Sequence, residues 1–180
     1  MKIASGTDKF STYKIKVVDG EILVEGYFSY GLDNDIKKIL EQNDDIWNIS
    51  LNSHGGRVAV AGEVAKLIET YKISTYTPEK CESACVVAFI AGAHRILGEG
   101  AQIGLHSYSF PGLTKKEERS LMVSDMHYYK NKGLSDAFLE KAFNTAADDM
   151  WYPTTAELIK NNVITYQVKS GKLISVKKKL

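Results

Sequence analysis

The chain has 180 residues, of which 44% are hydrophobic and 25% charged, the balance of one globular domain with a core of ordinary size rather than of a disordered or membrane protein. A net charge of +1 gives no electrostatic reason to expect nucleic acid as a partner. No apolar run reaches the ~18 residues needed for a transmembrane segment.

The first residues, to about Thr12, are polar and read as an N-terminal arm (1–12) without the apolar stretch of a secretory signal. As written the chain reads as cytoplasmic; a periplasmic or exported protein whose leader had been removed would look the same. Tyr13 to Val18 alternates apolar and polar residues, Asp19-Gly20 is a turn signal, and Glu21 to Phe28 completes a hairpin. Asp33 to Gln42 has helical spacing with acidic residues in its first turn. Ile46 to Leu51 reads as a short buried strand, Asn52 to Gly56 as a loop, and Arg57 to Tyr71 as an amphipathic helix. Ile73 to Tyr76 is rich in β-formers. A polar run, Thr77 to Lys80, then leads to an apolar helix that opens at Ser83.

Arg95 to Leu97 and Ile103 to His106 read as short strands around a Gly98-Glu99-Gly100 turn. Pro111-Gly112 ends the strand region. Thr114 to Lys132 follows as a long polar helix whose thin apolar set is Leu121, Met122, Met126 and Tyr129. Leu134 to Thr145 and Pro153 to Asn161 are further helices, Val163 to Val168 is a last strand, and 169–180 reads as a basic tail ending in Lys177-Lys178-Lys179. The alternation of strand, loop and helix implies one α/β domain (1–180) with a mostly parallel sheet, in which ligands bind beyond the carboxyl ends of the strands. His54-Gly55-Gly56 and Ser83 both fall there.

Ser83 begins an almost wholly apolar helix, where unpaired N–H groups and a partial positive charge favour a developing oxyanion and suit a nucleophile. The commoner use of a serine at such a position is as an N-cap. Of the four histidines, His106 ends an apolar strand and is placed to act as a general base, or alternatively is a buried histidine satisfied by a carbonyl. His94 reads as a helix C-terminal cap, His127 as surface. Gly55 and Gly56 allow close backbone approach and could supply one half of an oxyanion hole, with the Ala84 N–H as the other; a plain turn is the alternative. The carboxylates Asp148 and Asp149 could orient a histidine, or cap the helix after Pro153. Cys81 and Cys85 flank Ser83. Two thiols cannot complete a structural zinc site, and a bridge within regular helix has poor geometry, although Cys81 could instead lie in the turn before the helix; free packed thiols are expected. No metal or organic cofactor is called for.

Taken together, these segments resemble the proteolytic subunit of the Clp protease and the wider ClpP-like serine peptidases of the crotonase-like fold. The resemblance rests on Asn52-Ser53-His54-Gly55-Gly56 and the helix after it, and on Ser83 through Gly92-Ala93-His94-Arg95. Ile103-Gly104-Leu105-His106, Asp149 and Glu157 to Ile164 complete it. It implies a spiral of β-β-α units with a handle-type helix at 114–132, and a triad of Ser83, His106 and Asp149 (or Asp148) with Gly55, Gly56 and Ala84 around the oxyanion. It also implies a peptide or protein substrate and a homo-oligomer. His54 stands where the family usually has proline, and its expected role is at the surface rather than in catalysis. The cysteines replace a small-residue run, which brings the chain nearer to ClpP-like proteins assigned to the periplasm. The N-terminal arm does not resemble the segment that engages an unfoldase, so an ATPase partner is not expected. A hydratase or thioesterase acting on acyl-CoA within the same fold, and a non-catalytic assembly module, are the rival readings.

Overall fold

A computed structural model describes residues 12–108, 112 and 114–176; the arm before Thr12 and the terminal lysine run lie outside them. Strands β1 (Tyr13–Val18) and β2 (Glu21–Gly26) form the expected hairpin. Asp19 (φ 50°) and Gly20 (φ 76°) both take the left-handed conformation that a tight two-residue connection requires. Helix α1 (Leu32–Gln42) buries Leu32, Ile36 and Leu40, spaced four apart on one face. Strand β3 (Asn48–Asn52) and helix α2 (Val58–Tyr71) follow, with Val60, Ala61, Val64, Ala65 and Ile68 turned inward.

Strand β4 (Ser74–Thr77) is followed by β5 (Lys80–Glu82) and by α3 (Ala84–Ile90). Strand β6 (Arg95–Leu97) precedes β7 (Gln102–Gly104). The chain continues through α4 (Lys115–Asn131), α5 (Asp136–Asn144), α6 (Thr155–Lys160), β8 (Tyr166–Lys169) and β9 (Lys172–Ser175). The main sheet has the order β1-β2-β3-β4-β6-β8-β9, and a second sheet pairs β5 with β7. The main sheet is parallel from β2 to β8 and antiparallel at both edges.

After β2, β3, β4 and β6 the chain crosses to a second layer before entering a helix or loop, which is the expected β-β-α unit. The second layer is extended by parallel bridges from Phe28 to Gly56 and from Ser53 to Cys81. The two short strands expected around Gly98-Glu99-Gly100 are β6 and β7, which lie in different sheets and do not pair with each other. One expectation changes. The basic tail begins later than 169, because Lys172–Ser175 pairs antiparallel with β8.

All seven residues of α3 are buried. A helix that short is unstable alone, so packing holds it, with each fully buried large side chain contributing ~1.5–3 kcal/mol. Its Phe89 and Ile90 join Ile22, Phe28, Ile49 and Leu51 in a continuous core. The helix start, and with it Ser83, is thereby fixed against the sheet.

Candidate active site

Ser83 sits between β5 and α3 with φ 53° and ψ −126°, a conformation that costs a non-glycine residue ~1–3 kcal/mol. Its side chain makes no capping hydrogen bond. The capping role is therefore not the one this serine plays, and its hydroxyl is left for other chemistry. The strained turn is over-determined by its neighbours. Ser83 N–H donates to the Gly104 carbonyl (2.9 Å), Val86 N–H donates to the Ser83 carbonyl (3.0 Å), and Glu82 N–H donates to the Ser53 carbonyl (3.0 Å). Cys81 and Cys85 are joined in a disulfide across this turn. Free thiols were expected on helical geometry, but Cys81 belongs to β5, and the sharp turn brings the two sulfurs together.

His106 follows β7 by two residues. Ser83 and His106 line one small pocket with Leu105, Tyr108, Tyr129, Ala142 and Phe143. Its volume of ≈ 10 Å³ admits roughly one water and no substrate side chain. Tyr108, on the pocket wall, donates from its hydroxyl to the half-buried carboxylate of Asp125 (2.6 Å). Burial pushes the carboxyl of Asp125 up, and the Tyr108 bond opposes that. Burial likewise lowers the pKa of His106, with the Ser107 backbone and the charge of Glu82 acting the other way. A neutral imidazole at pH 7 is the form that accepts a proton.

The loop bearing Asp148 and Asp149 is tied to the His106 segment at two places. Ser107 N–H donates to the Thr145 carbonyl, and Leu105 and Trp151 exchange both backbone bonds (each 2.9 Å). The two aspartates occupy the bulge between these ties, opposite His106. Both are exposed, and the Asp149 carboxylate accepts from the N–H of Met150 (2.8 Å). Among the described residues His106 Nδ1 has no hydrogen-bond partner. The structure thus puts serine and histidine in one pocket, and neither aspartate is hydrogen-bonded to His106 Nδ1.

Gly55 lies directly against the Ser83 turn: a Cβ there would come within 2.8 Å of Ser83 Cβ and 3.1 Å of Ala84 N. Its own N–H donates to Ser53 Oγ (3.0 Å). His54 is exposed, as expected, yet its Nδ1 lies 2.6 Å from the buried carboxylate of Glu82. The Tyr152 hydroxyl donates to the same carboxylate (2.7 Å). Sequence reasoning passed over Glu82 and Tyr152; the available signal was an acidic residue beside Ser83 in an otherwise apolar stretch. His94 does not cap α3, whose C-cap is Ala91; it packs edge-on against Tyr166. His127 is exposed, as expected. Among the described residues no cluster of three or more His, Cys, Asp or Glu is arranged to hold a metal ion.

Strands and helices alternating in a spiral of β-β-α units, with a serine on a strained strand-to-helix turn that shares a pocket with a histidine, define the class as a mixed α/β fold. The solved structures place it more closely, in the ClpP-like protease fold. ClpP1 from Listeria monocytogenes superposes with a TM-score of 0.72 at 16% identity, over 84% of this chain and 92% of that one. A point mutant of that protein gives 0.70 at 17% identity, over 84% and 92%. A peptidase from Plasmodium falciparum gives 0.65 at 11% identity, over 84% and 96%. No family model and no curated protein matches the chain.

Proposed function

We propose that the protein is a ClpP-like serine peptidase in which Ser83 attacks a peptide carbonyl and His106 takes and returns the proton. The observation that carries this reading is the uncapped, strained Ser83 sharing one pocket with His106. Ala84 N–H, at the start of α3, and a glycine N–H from Gly55 or Gly56 would stabilise the oxyanion. For Gly55 this requires its bond to Ser53 to give way. Asp149, or Asp148, would orient His106 once the bulge between Thr145 and Trp151 turned inward. The substrate would lie extended beside the Gly55-Gly56 segment, held by main-chain bonds. The pocket must open to admit it. The protein would work as a homo-oligomer, with α4 in the position of the handle helix.

A fluorophosphonate probe tests the reading. The intact protein should be modified at Ser83, Ser83→Ala should not react, and fluorogenic peptides should be cleaved in preference to CoA thioesters. One observation favours a second reading, a non-catalytic assembly module: the imidazole of His106 lacks a partner on Nδ1 among the described residues. Folded protein that resists the probe over a broad pH range would support the module and end the peptidase proposal.

A further inference from the structure

Glu82 is the only buried carboxylate among the described residues, 5% exposed and immediately before the nucleophile. Burying a carboxylate is costly unless it is paired and hydrogen-bonded, and here both oxygens are engaged. Oε2 meets His54 Nδ1 at 2.6 Å; Oε1 accepts from Tyr152 at 2.7 Å and has Lys80 Nζ at 3.7 Å. These partners come from different loops. His54 precedes Gly55 and Gly56, while Tyr152 follows the Asp148-Asp149 bulge. The Glu82 stem also lies over β7: a Cβ on Gly104 would meet Glu82 Cγ at 2.9 Å. Gly104 accepts the Ser83 N–H through its carbonyl and stands two residues before His106.

We infer that Glu82 is a positioning residue of the active site, fastening the Gly-Gly loop and the Asp148–Tyr152 segment to the nucleophile turn and supplying the negative charge that stabilises His106 when it holds the serine proton. The inference rests on the Ser83–His106 reading and adds a carboxylate that the sequence pattern did not suggest. An imidazolium forming in a half-buried pocket needs a nearby anion. Asp149 is exposed and bonded to its own neighbour, whereas Glu82 is buried with its stem packed over Gly104, two residues before His106, a placement from which its charge favours the protonated imidazole. An ionised Glu82 requires the His54 Nδ1 that faces it to carry a proton, and the bond keeps that loop against Ser83. Glu82 itself stays ionised. Burial raises its pKa, but the Tyr152 and His54 bonds and the charges of His54 and Lys80 outweigh that and hold it below the ordinary glutamate value.

Two readouts on Glu82→Gln decide the matter: an NMR titration of the His106 imidazole and the rate of fluorophosphonate labelling at Ser83. With the charge gone, the His106 midpoint should move to lower pH, and labelling should slow by about tenfold or more. Glu82→Asp, which keeps the charge, should restore the midpoint. An unchanged midpoint with labelling within about twofold of the parent would overturn the inference. So would a large loss confined to Asp149→Asn. If Glu82→Gln does not fold, Tyr152→Phe removes one tie from outside the pocket; it should slow labelling severalfold, and a parental rate would refute the positioning role. Should the parent resist the probe while its His106 midpoint still responds to Glu82→Gln, the peptidase reading falls and the Glu82–His106 link stands.

Discussion

Cys81 and Cys85 are bonded to each other with Ser83 midway between them, so one covalent bridge spans the strand end, the strained serine and the first turn of α3. Both cysteines are fully buried. Closing so short a loop restricts the unfolded chain by about 2 kcal/mol in the loop-entropy model. Cys81→Ser/Cys85→Ser should therefore lower the melting temperature by about 4–8 °C for a chain of this length. The double variant should also react more slowly with a fluorophosphonate, because the turn that presents Ser83 loses a constraint. Iodoacetamide should label denatured protein only after reduction. Alkylation without reductant would show free thiols and remove the basis for both effects.

Gly55 and Gly62 make a matched pair of tests. At Gly55 the backbone has φ 95°, and an added methyl would lie 2.8 Å from Ser83 Cβ and 2.8 Å from the Glu82 carbonyl. Gly55→Ala should cost roughly 2–3 kcal/mol from strain and overpacking combined, and should abolish probe labelling by displacing the serine. At Gly62, inside α2, nothing lies within 4 Å of the added atom. Gly62→Ala should leave labelling intact and stabilise the protein by about 0.5–1 kcal/mol. Thermal melts and labelling rates on the two variants separate local crowding at the nucleophile from a general intolerance of substitution.

Much of the fold was legible because its segments carry periodic signals. The hairpin around Asp19-Gly20 shows alternation, and α1 and α2 show helical spacing at boundaries within one or two residues of those observed. The second layer was not legible. Lys80–Glu82 and Gln102–Gly104 are three-residue strands, too short for any period, and Lys80-Cys81-Glu82 reads as a polar lead-in to a helix. Missing β5 also hid the disulfide, since only a strand-to-helix turn lets Cys81 reach Cys85. Strand β9 exposes every residue, so it has no buried face to announce it. At the candidate site, Ser83 and His106 stand out by their places at a helix start and a strand end. Glu82 offers only the weak signal of an acid beside Ser83, because its contacts are to a histidine 28 residues before it and a tyrosine 70 residues after it.

Helix α4 spends most of its apolar set on the core. Tyr129 is buried, Met122 and Met126 pack partly against the core, and Leu121 and Val123 remain 44% and 60% exposed. If the protein assembles through this helix, Leu121→Glu/Val123→Glu should reduce the mass in solution while leaving the melting temperature of the subunit nearly unchanged. Light scattering after size-exclusion chromatography measures it. An unchanged mass in the double variant would move the assembly surface elsewhere.

The pH dependence of Ser83 reactivity follows from the burial of His106. Desolvation favours the neutral imidazole and lowers its pKa from 6.5; the Ser107 backbone and the Glu82 charge recover part of the shift. General-base catalysis needs the neutral form, so labelling should rise with pH, pass its midpoint below 6.5 and be flat through neutrality. Stability moves in the same direction at the acid end. Glu82 has its pKa lowered from 4.5, so its contribution is fully present above that value and is lost as pH falls through the folded-state value. His106 adds to the loss, because below pH 6.5 the unfolded chain takes up a proton more readily than the folded one. Both effects make the protein less stable in acid. Glu82→Gln removes the first and, through the lower His106 midpoint, enlarges the second, so the variant's acid loss should set in as pH falls below 6.5 and lack the step that Glu82 adds below pH 4.5. A labelling midpoint above pH 7 would mean that an imidazolium is stabilised at rest, which the half-buried pocket around residue 106 does not permit.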